Sequence, residues 1–307
     1  MQVSICIATF QRSVLLEHLL MTLQDLRFRE MPEPRIEIIV IDNDVNGTAK
    51  EVCEKVKAIS RWPINYDIEP CRGVTYARDR SISNASNASD FIVMIDDDEQ
   101  SSPEWLEALI MAQEKYDADI VTGPVLPIFE EPEIVPEWAT KGDLFHLRGL
   151  NRFTTGQLLE TAFTNNVLIR AKIIKEKSCV FNHELAFKGA EDTHLFMKLR
   201  KEGFKIIWSE EAIVYESIPV SRVNLKWLMN RAYWGASSYS LFERELYPSL
   251  KIQFLRTLNG CAKICLGTMS FLPSIPFGKH RVFNSCVTIA YGLGTISGVF
   301  GVQGDWR

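Results

Sequence analysis

Hydrophobic and polar positions along the first 125 residues alternate between two periods. Short apolar runs of strand length are separated by stretches in which apolar residues recur at helical spacing. The predicted strands are Val3–Ala8, Ile36–Ile41, Ile64–Ile68, Phe91–Ile95 and Ile120–Val121. The predicted helices between them are Val14–Leu26, Thr48–Ile59, Val74–Ile82 and Pro103–Tyr116, the last with Ser102 as its N-cap. Strands that alternate with helices predict a mostly parallel sheet covered on both faces.

The pattern is less regular after this region. Residues 123–160 are rich in proline and glutamate and show no clear period, so we expect a long loop there. Further strands are predicted at Thr164–Arg170, Phe204–Trp208 and Ala212–Tyr215. Further helices are predicted at Glu191–Lys201, ended by Gly203, and at Asn224–Leu246.

The C-terminal tail contains two long apolar segments. Val282–Val302 spans 21 residues without a formal charge, but it includes four glycines and several hydroxyl side chains. Gly294 and Gly298 form a G-x-x-x-G pair, which permits close helix contact. Leu258–Phe277 is also largely apolar but contains a lysine and two prolines. Three interpretations remain open: a buried helical pair packed on the main domain, a membrane-associated hairpin, or a transmembrane span.

The net charge of −5 is unevenly distributed. Residues 250–307 hold six basic residues and one acidic residue, a local charge of +5 that leaves −10 for residues 1–249. A basic, apolar tail favours contact with an anionic partner such as a membrane surface. The acidic body argues against a general nucleic-acid binder.

The cysteines and the N-terminus indicate the compartment. The seven cysteines are odd in number, irregularly spaced and without a C-x-x-C motif. This pattern favours a reducing cytosol over a disulfide framework or a zinc site. The N-terminus enters the first predicted strand without a basic segment or a cleavage site, so we expect no signal peptide and a cytoplasmic body.

The densest candidate chemistry is the run Asp96-Asp97-Asp98-Glu99, directly after a predicted strand. Like charges this close raise each other's pKa unless a cation neutralises them. Oxygen ligands at a strand end suit Mg²⁺ or Mn²⁺. The alternative is an acidic loop before the Pro103 helix.

A second acidic pair, Glu191-Asp192, opens a predicted helix. Acidic residues favour helix N-termini through the helix dipole, so the pair has a purely structural explanation. Alternatively, Asp192 lies at a helix start that faces a cleft and takes a proton from an incoming hydroxyl.

Three weaker segments also follow strands or open helices: Ala8–Arg12, Asp42–Asp44 and Cys71–Asp79. In the last, Gly73 permits a tight turn, and Arg78 either faces phosphate or is a surface arginine paired with a nearby acid. Asp and Asn are common in turns, so each segment is a weak signal. Ligands of such sheets bind beyond the carboxyl ends of the strands, which predicts one cleft for all these segments.

Eight segments occur in an order that resembles a known family. They are SICIATFQR, IIVIDND, CRGVTYARDRSI, FIVMIDDDEQSSPEWL, DIVTGPVLPIFEEP, NNVLIR, GAEDTHLFMKLRKEGFKIIW and EAIVYESIPVSRVNLKWLMNRAYWG, and they cover about residues 3–240. The set resembles the inverting glycosyltransferases of family 2, and in particular the bacterial branch with the succinoglycan-biosynthesis glucosyltransferases. The resemblance implies the α/β GT-A fold, a Rossmann-like, mostly parallel sheet flanked by helices, with a C-terminal helical extension.

The resemblance assigns a first group of residues to the nucleotide. Thr9, Phe10 and Arg12 fall on the segment that meets it, with Phe10 placed to stack on the base. Asp42 and Asn43 match the acidic turn that recognises the base.

A second group falls on the diphosphate and metal region. Arg78 matches an arginine near the nucleotide, and Asp97 joins the predicted nucleotide-sugar-binding residues. Asp96 and Asp98 match the D-x-D pair, with Asp98 as a direct metal ligand. Many members have a histidine near the last core strand where this chain reads Tyr215-Glu216, so Glu216 is the candidate third oxygen ligand.

The remaining assignments concern the acceptor. Asp192 matches the general base, and Glu191 is expected to position the acceptor. Asn166 is expected to border the acceptor pocket. Where many members have Asn after the arginine that Arg78 matches, this chain has Asp79.

The resemblance implies transfer of a hexose, such as glucose, from a UDP-sugar to a growing lipid-linked oligosaccharide at the cytoplasmic face of a bacterial membrane. A divalent Mn²⁺ or Mg²⁺ ion is the implied cofactor. We expect a catalytic domain over residues 1–220, divided near residue 125 into nucleotide and acceptor halves, and a helical, membrane-associating region over 221–307.

Two rival functions follow from the same residues. A nucleotidylyltransferase is disfavoured because no glycine-rich phosphate loop follows the first strand. A non-catalytic nucleotide-sugar-binding scaffold is disfavoured by the presence of both Asp98 and Asp192.

Overall fold

A computed structural model describes residues 1–141, 144–145, 153–177 and 179–305. Within this part of the chain, the backbone forms two compact units. The first comprises residues 1–126, 153–187 and 202–216, and the second comprises residues 127–145, 188–201 and 217–305. The predicted domain boundary at residue 220 stays a prediction.

The strands of the described residues are numbered in chain order. They are β1 (Gln2–Thr9), β2 (Arg35–Asp42), β3 (Ile64–Ile68), β4 (Phe91–Ile95), β5 (Glu99–Ser101), β6 (Ile120–Thr122), β7 (Val125–Phe129), β8 (Asn166–Arg170), β9 (Ile206–Trp208) and β10 (Val214–Ile218). Seven of them form a sheet of order β3-β2-β1-β4-β8-β6-β9, and three form a small sheet of order β5-β10-β7.

The helices are numbered in the same way. They are α1 (Ser13–Gln24), α2 (Lys50–Lys57), α3 (Val74–Asn84), α4 (Trp105–Tyr116), α5 (Glu137–Lys141), α6 (Ala171–Ile174), α7 (Glu191–Lys201), α8 (Leu225–Leu246), α9 (Leu250–Ser274) and α10 (Lys279–Val299).

The large sheet is mostly parallel and belongs to the first unit. β1 pairs in parallel with β2 and β4, and only β8 runs antiparallel to both of its neighbours among the described pairings. β4 is buried along its whole length, as expected for a central strand covered on both faces. Because β1, β2 and β4 are parallel, their carboxyl ends meet at one edge, and the polar turns after them lie there. The predicted α/β class is confirmed.

Two predictions for the segment from Ser102 to residue 160 are wrong. The helix begins at Trp105, because Pro103 and Glu104 form a turn in which the Trp105 N–H donates to the Ser102 carbonyl oxygen at 3.1 Å. The Ser102 hydroxyl therefore does not cap the helix. Residues 123–160 include β7 and α5 rather than one long loop, and 142–143 and 146–152 lie outside the described residues.

The local sequence pattern does not predict β7, because its partner strand is remote in the chain. The Val214 N–H donates to the Pro124 carbonyl oxygen at 3.1 Å, and the Glu130 N–H donates to the Ile218 carbonyl oxygen at 3.2 Å. Both contacts join β10 to a segment about 90 residues earlier in the chain. Pairing with a distant strand leaves no local period to detect.

The second unit is helical and tightly packed around glycine. A Cβ added at Gly294 would lie 2.2 Å from the Tyr233 carbonyl oxygen, and one at Gly298 would lie 2.1 Å from the Ser237 carbonyl oxygen. The G-x-x-x-G pair of α10 therefore brings its backbone against α8. Gly260 on α9 meets Gly292 on α10 in the same way, with a Cβ at Gly292 only 2.6 Å from the Gly260 carbonyl oxygen.

α9 carries many exposed apolar side chains. They are Leu250, Phe254, Leu255, Leu258, Leu266, Met269, Phe271 and Leu272. Among the described residues, one helix is long and apolar enough to cross a membrane, and that helix is α10. Within its most apolar 18-residue window, 39% is buried. Length and composition alone do not separate a span from a core helix.

Candidate active site

The acidic turn after β4 is held by the segment that follows β1. Asp97 is buried, and its carboxylate accepts from the Thr9 hydroxyl at 2.8 Å and from the Arg12 guanidinium at 3.0 Å. The same Arg12 nitrogen lies 3.0 Å from Asp98 Oδ2. One arginine thus bridges two adjacent carboxylates, which fixes the turn and offsets part of its charge.

Arg78 binds Asp96, the remaining aspartate of the turn. Its guanidinium donates to Asp96 Oδ1 at 2.8 Å, and only 10% of its side chain is exposed. Arg78 is therefore a buried residue of α3 that binds the acidic turn, and the alternative of a surface arginine is wrong. Arg12 directly precedes α1 and Arg78 lies on α3, so each of these helices places one cation at the same strand end.

Glu99 and Glu216 add two further carboxylates. They are directly opposite each other on the antiparallel strands β5 and β10. Glu99 is buried, and its Oε2 accepts the Asp96 N–H at 3.2 Å. Glu216 is close enough to contribute to the raised pKa values of both Asp98 and Glu99.

Burial and mutual repulsion keep protons on this cluster. Desolvation raises the pKa of Asp98 to about 7, the charge of Asp96 adds to the rise, and Arg12 opposes it. Desolvation also raises the pKa of Asp97 and, well above its usual range, that of Glu99. The two arginines therefore do not fully offset the cost of ionising these carboxyl groups.

The oxygen donors of the turn fit a divalent cation. Asp96, Asp98 and Glu216 offer carboxylate oxygens from a strand end and an adjacent strand. Oxygen-only ligand sets are those that Mg²⁺ and Mn²⁺ prefer. A bound divalent cation would supply the charge that the raised pKa values indicate is missing.

The turn after β2 is ordered by buried polar side chains. Asp42 is fully buried and accepts from the Tyr66 hydroxyl at 3.0 Å and the Ala49 N–H at 2.8 Å. The Asn43 amide donates to the carbonyl oxygens of Glu69 and Cys71, at 2.9 and 2.8 Å. Its own oxygen accepts the Gly73 N–H at 2.7 Å. Asn43 thereby joins the turn after β2 to the loop that opens α3.

Phe10 is half-buried and packs against a cation. The Arg72 guanidinium carbon lies 3.5 Å from the Phe10 ring centroid. The adjacent Gln11 has a positive φ of 54°, and its amide donates to Asp44 Oδ2 at 2.8 Å. Both contacts tie the segment after β1 to the neighbouring turns.

Glu191 and Asp192 lie in the first turn of α7, in the second unit. Two consecutive residues with positive φ precede them, Gly189 at 71° and Ala190 at 63°. Asp192 Oδ1 accepts the N–H of Thr193 at 2.5 Å. The prediction that α7 runs from Glu191 to Lys201 is confirmed.

An indole supports the turn that precedes Glu191. The Trp234 Nε1–H donates to the Lys188 carbonyl oxygen at 3.1 Å. A Cβ added at Gly189 would lie 2.8 Å from Trp234 Cζ2. Trp234 therefore fixes the path of the chain that enters the helix carrying Asp192.

Asn166 begins β8 and is fully buried. Its oxygen accepts the Trp105 Nε1–H at 2.8 Å, and its amide donates to the carbonyl oxygens of Pro124 and Ala212, at 3.1 and 2.7 Å. These bonds join three segments of the first unit. Its assignment to an acceptor pocket stays a prediction.

The first unit gathers most of the predicted site at one edge of the large sheet. Thr9, Arg12, Arg78, Asp96, Asp97 and Asp98 are joined by the bonds above, and Glu216 lies near them through its pairing with Glu99. Asp42 and Asn43 lie in the neighbouring turn after β2, and Phe10 packs against Arg72 in the loop that opens α3. The roles assigned to all of these residues stay predictions.

Four residues of these networks were missed by reasoning from the sequence. Glu99 was read only as part of the acidic run, and Arg72 only as part of a turn. Gln11 and Trp234 carried no signal, because a glutamine in a turn and a tryptophan in a helix have ordinary explanations. Gln11 binds Asp44, 33 residues away in the sequence, and Trp234 binds Lys188, 46 residues away.

Family models match most of the chain. The glycosyl transferase family 2 model matches residues 4–176, and a second model, glycosyl transferase family group 2, matches residues 91–295.

Two curated proteins are similar in sequence. The succinoglycan biosynthesis protein ExoM of Rhizobium meliloti (strain 1021) is 28% identical over 304 residues, which cover 99% of this chain and 94% of that protein. The glucosyl-dolichyl phosphate glucuronosyltransferase of Haloferax volcanii is 25% identical over 189 residues, 58% of each chain.

Solved structures share the fold. The mannosyltransferase PcManGT from Pyrobaculum calidifontis, in complex with GDP-Man and Mn²⁺, has a TM-score of 0.62 and 11% identity, and covers 98% of this chain and 88% of that one. S. aureus TarS 1-349 in complex with UDP has a TM-score of 0.53 and 14% identity, and covers 98% and 92%. The fold predicted from the sequence is thereby confirmed.

Proposed function

Because this chain belongs to glycosyl transferase family 2, we propose that it transfers a hexose from a UDP-sugar to a lipid-linked oligosaccharide during bacterial cell-surface polysaccharide synthesis. The observation that carries the proposal is the acidic turn after β4, where Arg12 and Arg78 fix three aspartates beside Glu216. Carboxyl groups at the carboxyl edge of a parallel sheet suit a divalent cation that would hold a nucleotide diphosphate.

The proposed donor site uses the turns after β1, β2 and β4. Thr9, Phe10 and Arg12 meet the nucleotide, and Asp42 and Asn43 shape the base pocket. The buried bonds of Asp42 and Asn43 support a rigid pocket, which lowers the entropic cost of binding. Structures of the same fold were solved with UDP and with GDP-Man, which supports a nucleotide-linked donor, and the choice of uridine rests on the sequence resemblance.

Asp96, Asp98 and Glu216 would hold a Mn²⁺ or Mg²⁺ ion. When bound, the ion supplies positive charge against the charge that develops on the UDP leaving group. The raised pKa of Asp98 supports this assignment, because a carboxyl group that resists ionisation gains from a nearby cation.

Asp192 is the proposed general base. It takes the proton of an acceptor hydroxyl, and the resulting oxygen nucleophile attacks the anomeric carbon from the face opposite to UDP. The bond from that carbon to the diphosphate breaks, and its electron pair leaves with UDP. An α-linked donor therefore gives a β-linked product. Glu191, buried beside Asp192, positions the acceptor.

The acceptor and location are proposed from the tail and the relatives. The exposed apolar side chains of α9 and the basic charge of residues 250–307 support peripheral contact with the cytoplasmic face of the membrane. A relative that acts in succinoglycan biosynthesis supports a polysaccharide product. The name of a second relative includes a dolichyl phosphate, which supports a lipid-linked acceptor.

The experiment is UDP release from a panel of nucleotide sugars, in detergent, with Mn²⁺ or with EDTA. Wild type is compared with Asp98→Ala and Asp192→Asn. We expect metal-dependent release from one donor, loss of that release in Asp98→Ala, and a fall in release of about 10²–10⁴-fold in Asp192→Asn. Equal release by Asp192→Asn would remove the base assignment. If the protein shows no UDP release and no metal-dependent UDP binding, a non-catalytic scaffold on the same fold is favoured.

A further inference from the structure

A second cluster of ligand-type side chains lies in the first unit. Asp79 is on α3, and Cys179 and His183 are on the segment that follows α6. The His183 Nε2 atom lies 2.7 Å from Asp79 Oδ2 and 3.6 Å from Cys179 Sγ. Cys179 Sγ lies 3.6 Å from Asp79 Oδ2. An oxygen, a nitrogen and a sulfur therefore face one common point.

The geometry separates a metal site from a nucleophilic relay. In a Cys–His–Asp relay, the imidazole joins the thiol through one ring nitrogen and the carboxylate through the other. Here the same nitrogen, Nε2, faces both the thiol and the carboxylate. Convergence of three different ligand atoms on one point is the arrangement that a metal ion requires.

Two of the three distances, those that involve the sulfur, match tetrahedral coordination. Zinc bonds of about 2.3 Å to sulfur and about 2.0–2.1 Å to nitrogen or oxygen imply tetrahedral S···N and S···O separations of about 3.5 Å. Both separations here are 3.6 Å. The N···O separation of 2.7 Å is that of a hydrogen bond, which a metal would replace by a separation of about 3.3 Å.

The ligands are oriented by neighbouring groups. Asp79 Oδ1 accepts the N–H groups of Val180 and Phe181 at 3.1 and 3.2 Å, which turns Oδ2 toward the cluster. The His183 ring packs on Tyr76, with 4.1 Å between ring centroids. Contacts of this kind fix the ligands of natural metal sites.

We propose that Asp79, Cys179 and His183 form a binding site for zinc or a similar transition metal, separate from the acidic turn. Three protein ligands leave a fourth position for water or an external ligand. The cysteine binds as a thiolate, so its proton is released to solvent on binding.

The site would join the loop around residues 179–183 to α3. Asp79 directly follows Arg78, whose guanidinium bonds to Asp96 in the acidic turn. The Phe181 ring lies 5.9 Å from the Arg78 guanidinium carbon. A metal at this site would therefore cross-link the two segments that surround Arg78.

Cobalt provides a direct test, because a Co²⁺–thiolate bond gives a charge-transfer absorption that oxygen ligands do not give. Metal-free full-length protein is titrated with Co²⁺ and then with Zn²⁺. Three variants are compared with wild type: Cys179→Ser, Asp79→Asn and the control Cys71→Ser, which removes an exposed cysteine outside the cluster. Asp79→Asn keeps an oxygen that can accept the two N–H groups. Asp98→Ala separates this site from the acidic turn.

Wild type, Cys71→Ser and Asp98→Ala are expected to show the absorption with one Co²⁺, and Zn²⁺ is expected to abolish it. In Cys179→Ser the absorption is lost. In both cluster variants, zinc binding weakens at least about tenfold, since loss of an outer-shell partner alone costs about 10–100-fold. Zinc is also expected to raise the Tm of wild type but not of Cys179→Ser. Absence of the absorption in wild type, or its persistence in Cys179→Ser, would overturn the proposal.

Discussion

Binding of Mn²⁺ to the acidic turn is expected to depend steeply on pH. Desolvation and the charge of Asp96 raise the pKa of Asp98 to about 7 in the metal-free protein. A metal binds the carboxylate and not the carboxylic acid, so the ion must displace a proton below that pH. Affinity therefore rises with pH up to about 7 and is nearly constant above it.

The magnitude follows from the fraction of Asp98 that is ionised. With a pKa of about 7, this fraction is about 0.9 at pH 8, about 0.1 at pH 6 and about 0.01 at pH 5. Mn²⁺ binding is then about tenfold weaker at pH 6 than at pH 8, and about a hundredfold weaker at pH 5. An aspartate at its ordinary pKa would give almost no change over this range.

The assay is a titration with Mn²⁺ at constant ionic strength, by calorimetry in two buffers of different ionisation enthalpy. At pH 6 we expect uptake of one Mn²⁺ to release about one proton. In Asp98→Asn the affinity is weaker and its dependence on pH over this range is lost. An affinity that stays flat between pH 5.5 and 8, with no proton release, would refute the reasoning.

Three further predictions concern the glycine turn, the buried amide and the tail. Gly189→Ala places a Cβ 2.8 Å from Trp234, and the positive φ lowers the free energy of unfolding by about 1–2 kcal/mol. Sugar transfer is expected to slow while UDP affinity is unchanged. Gly203→Ala is the control, because Gly203 also has a positive φ but has open space around it. Asn166→Ala removes three buried hydrogen bonds and is expected to lower the free energy of unfolding by about 3 kcal/mol in urea. Leu258→Glu with Leu266→Glu, both on the exposed face of α9, should weaken sedimentation with anionic liposomes at least about tenfold without changing the Tm; equal sedimentation would exclude α9 as the membrane contact.

The local pattern predicted several elements well. The bounds of β3, β4 and α7 agree with the prediction; β4 is an unbroken apolar run, and α7 keeps a helical period that ends before Gly203. The helix predicted from Asn224 begins one residue later, and Asn224 is its N-cap, whose side chain accepts the Trp227 N–H at 2.8 Å. The errors fall where pairing is remote, as in β7, or where two turn residues precede a helix, as at Pro103.

The candidate site was partly predictable for a related reason. Reading the polar residues after each strand identified Thr9, Arg12 and Asp96–Asp98, because parallel strands bring their carboxyl ends to one edge. It did not identify which arginine binds which aspartate. Arg12 meets Asp97 and Asp98 across more than 80 positions of sequence, and Arg78 meets Asp96 rather than its neighbour Asp79.

By itself, the sequence determined the order of the elements, the motifs after the strands and the apolar character of the tail, since these depend on residues close together in the chain. Only the tertiary structure decided the partners. Asp79 and Cys179 are 100 residues apart, and the cysteine spacing had argued against a zinc site. No local period encodes such a contact, because it exists only once the backbone has brought α3 and a distant loop together.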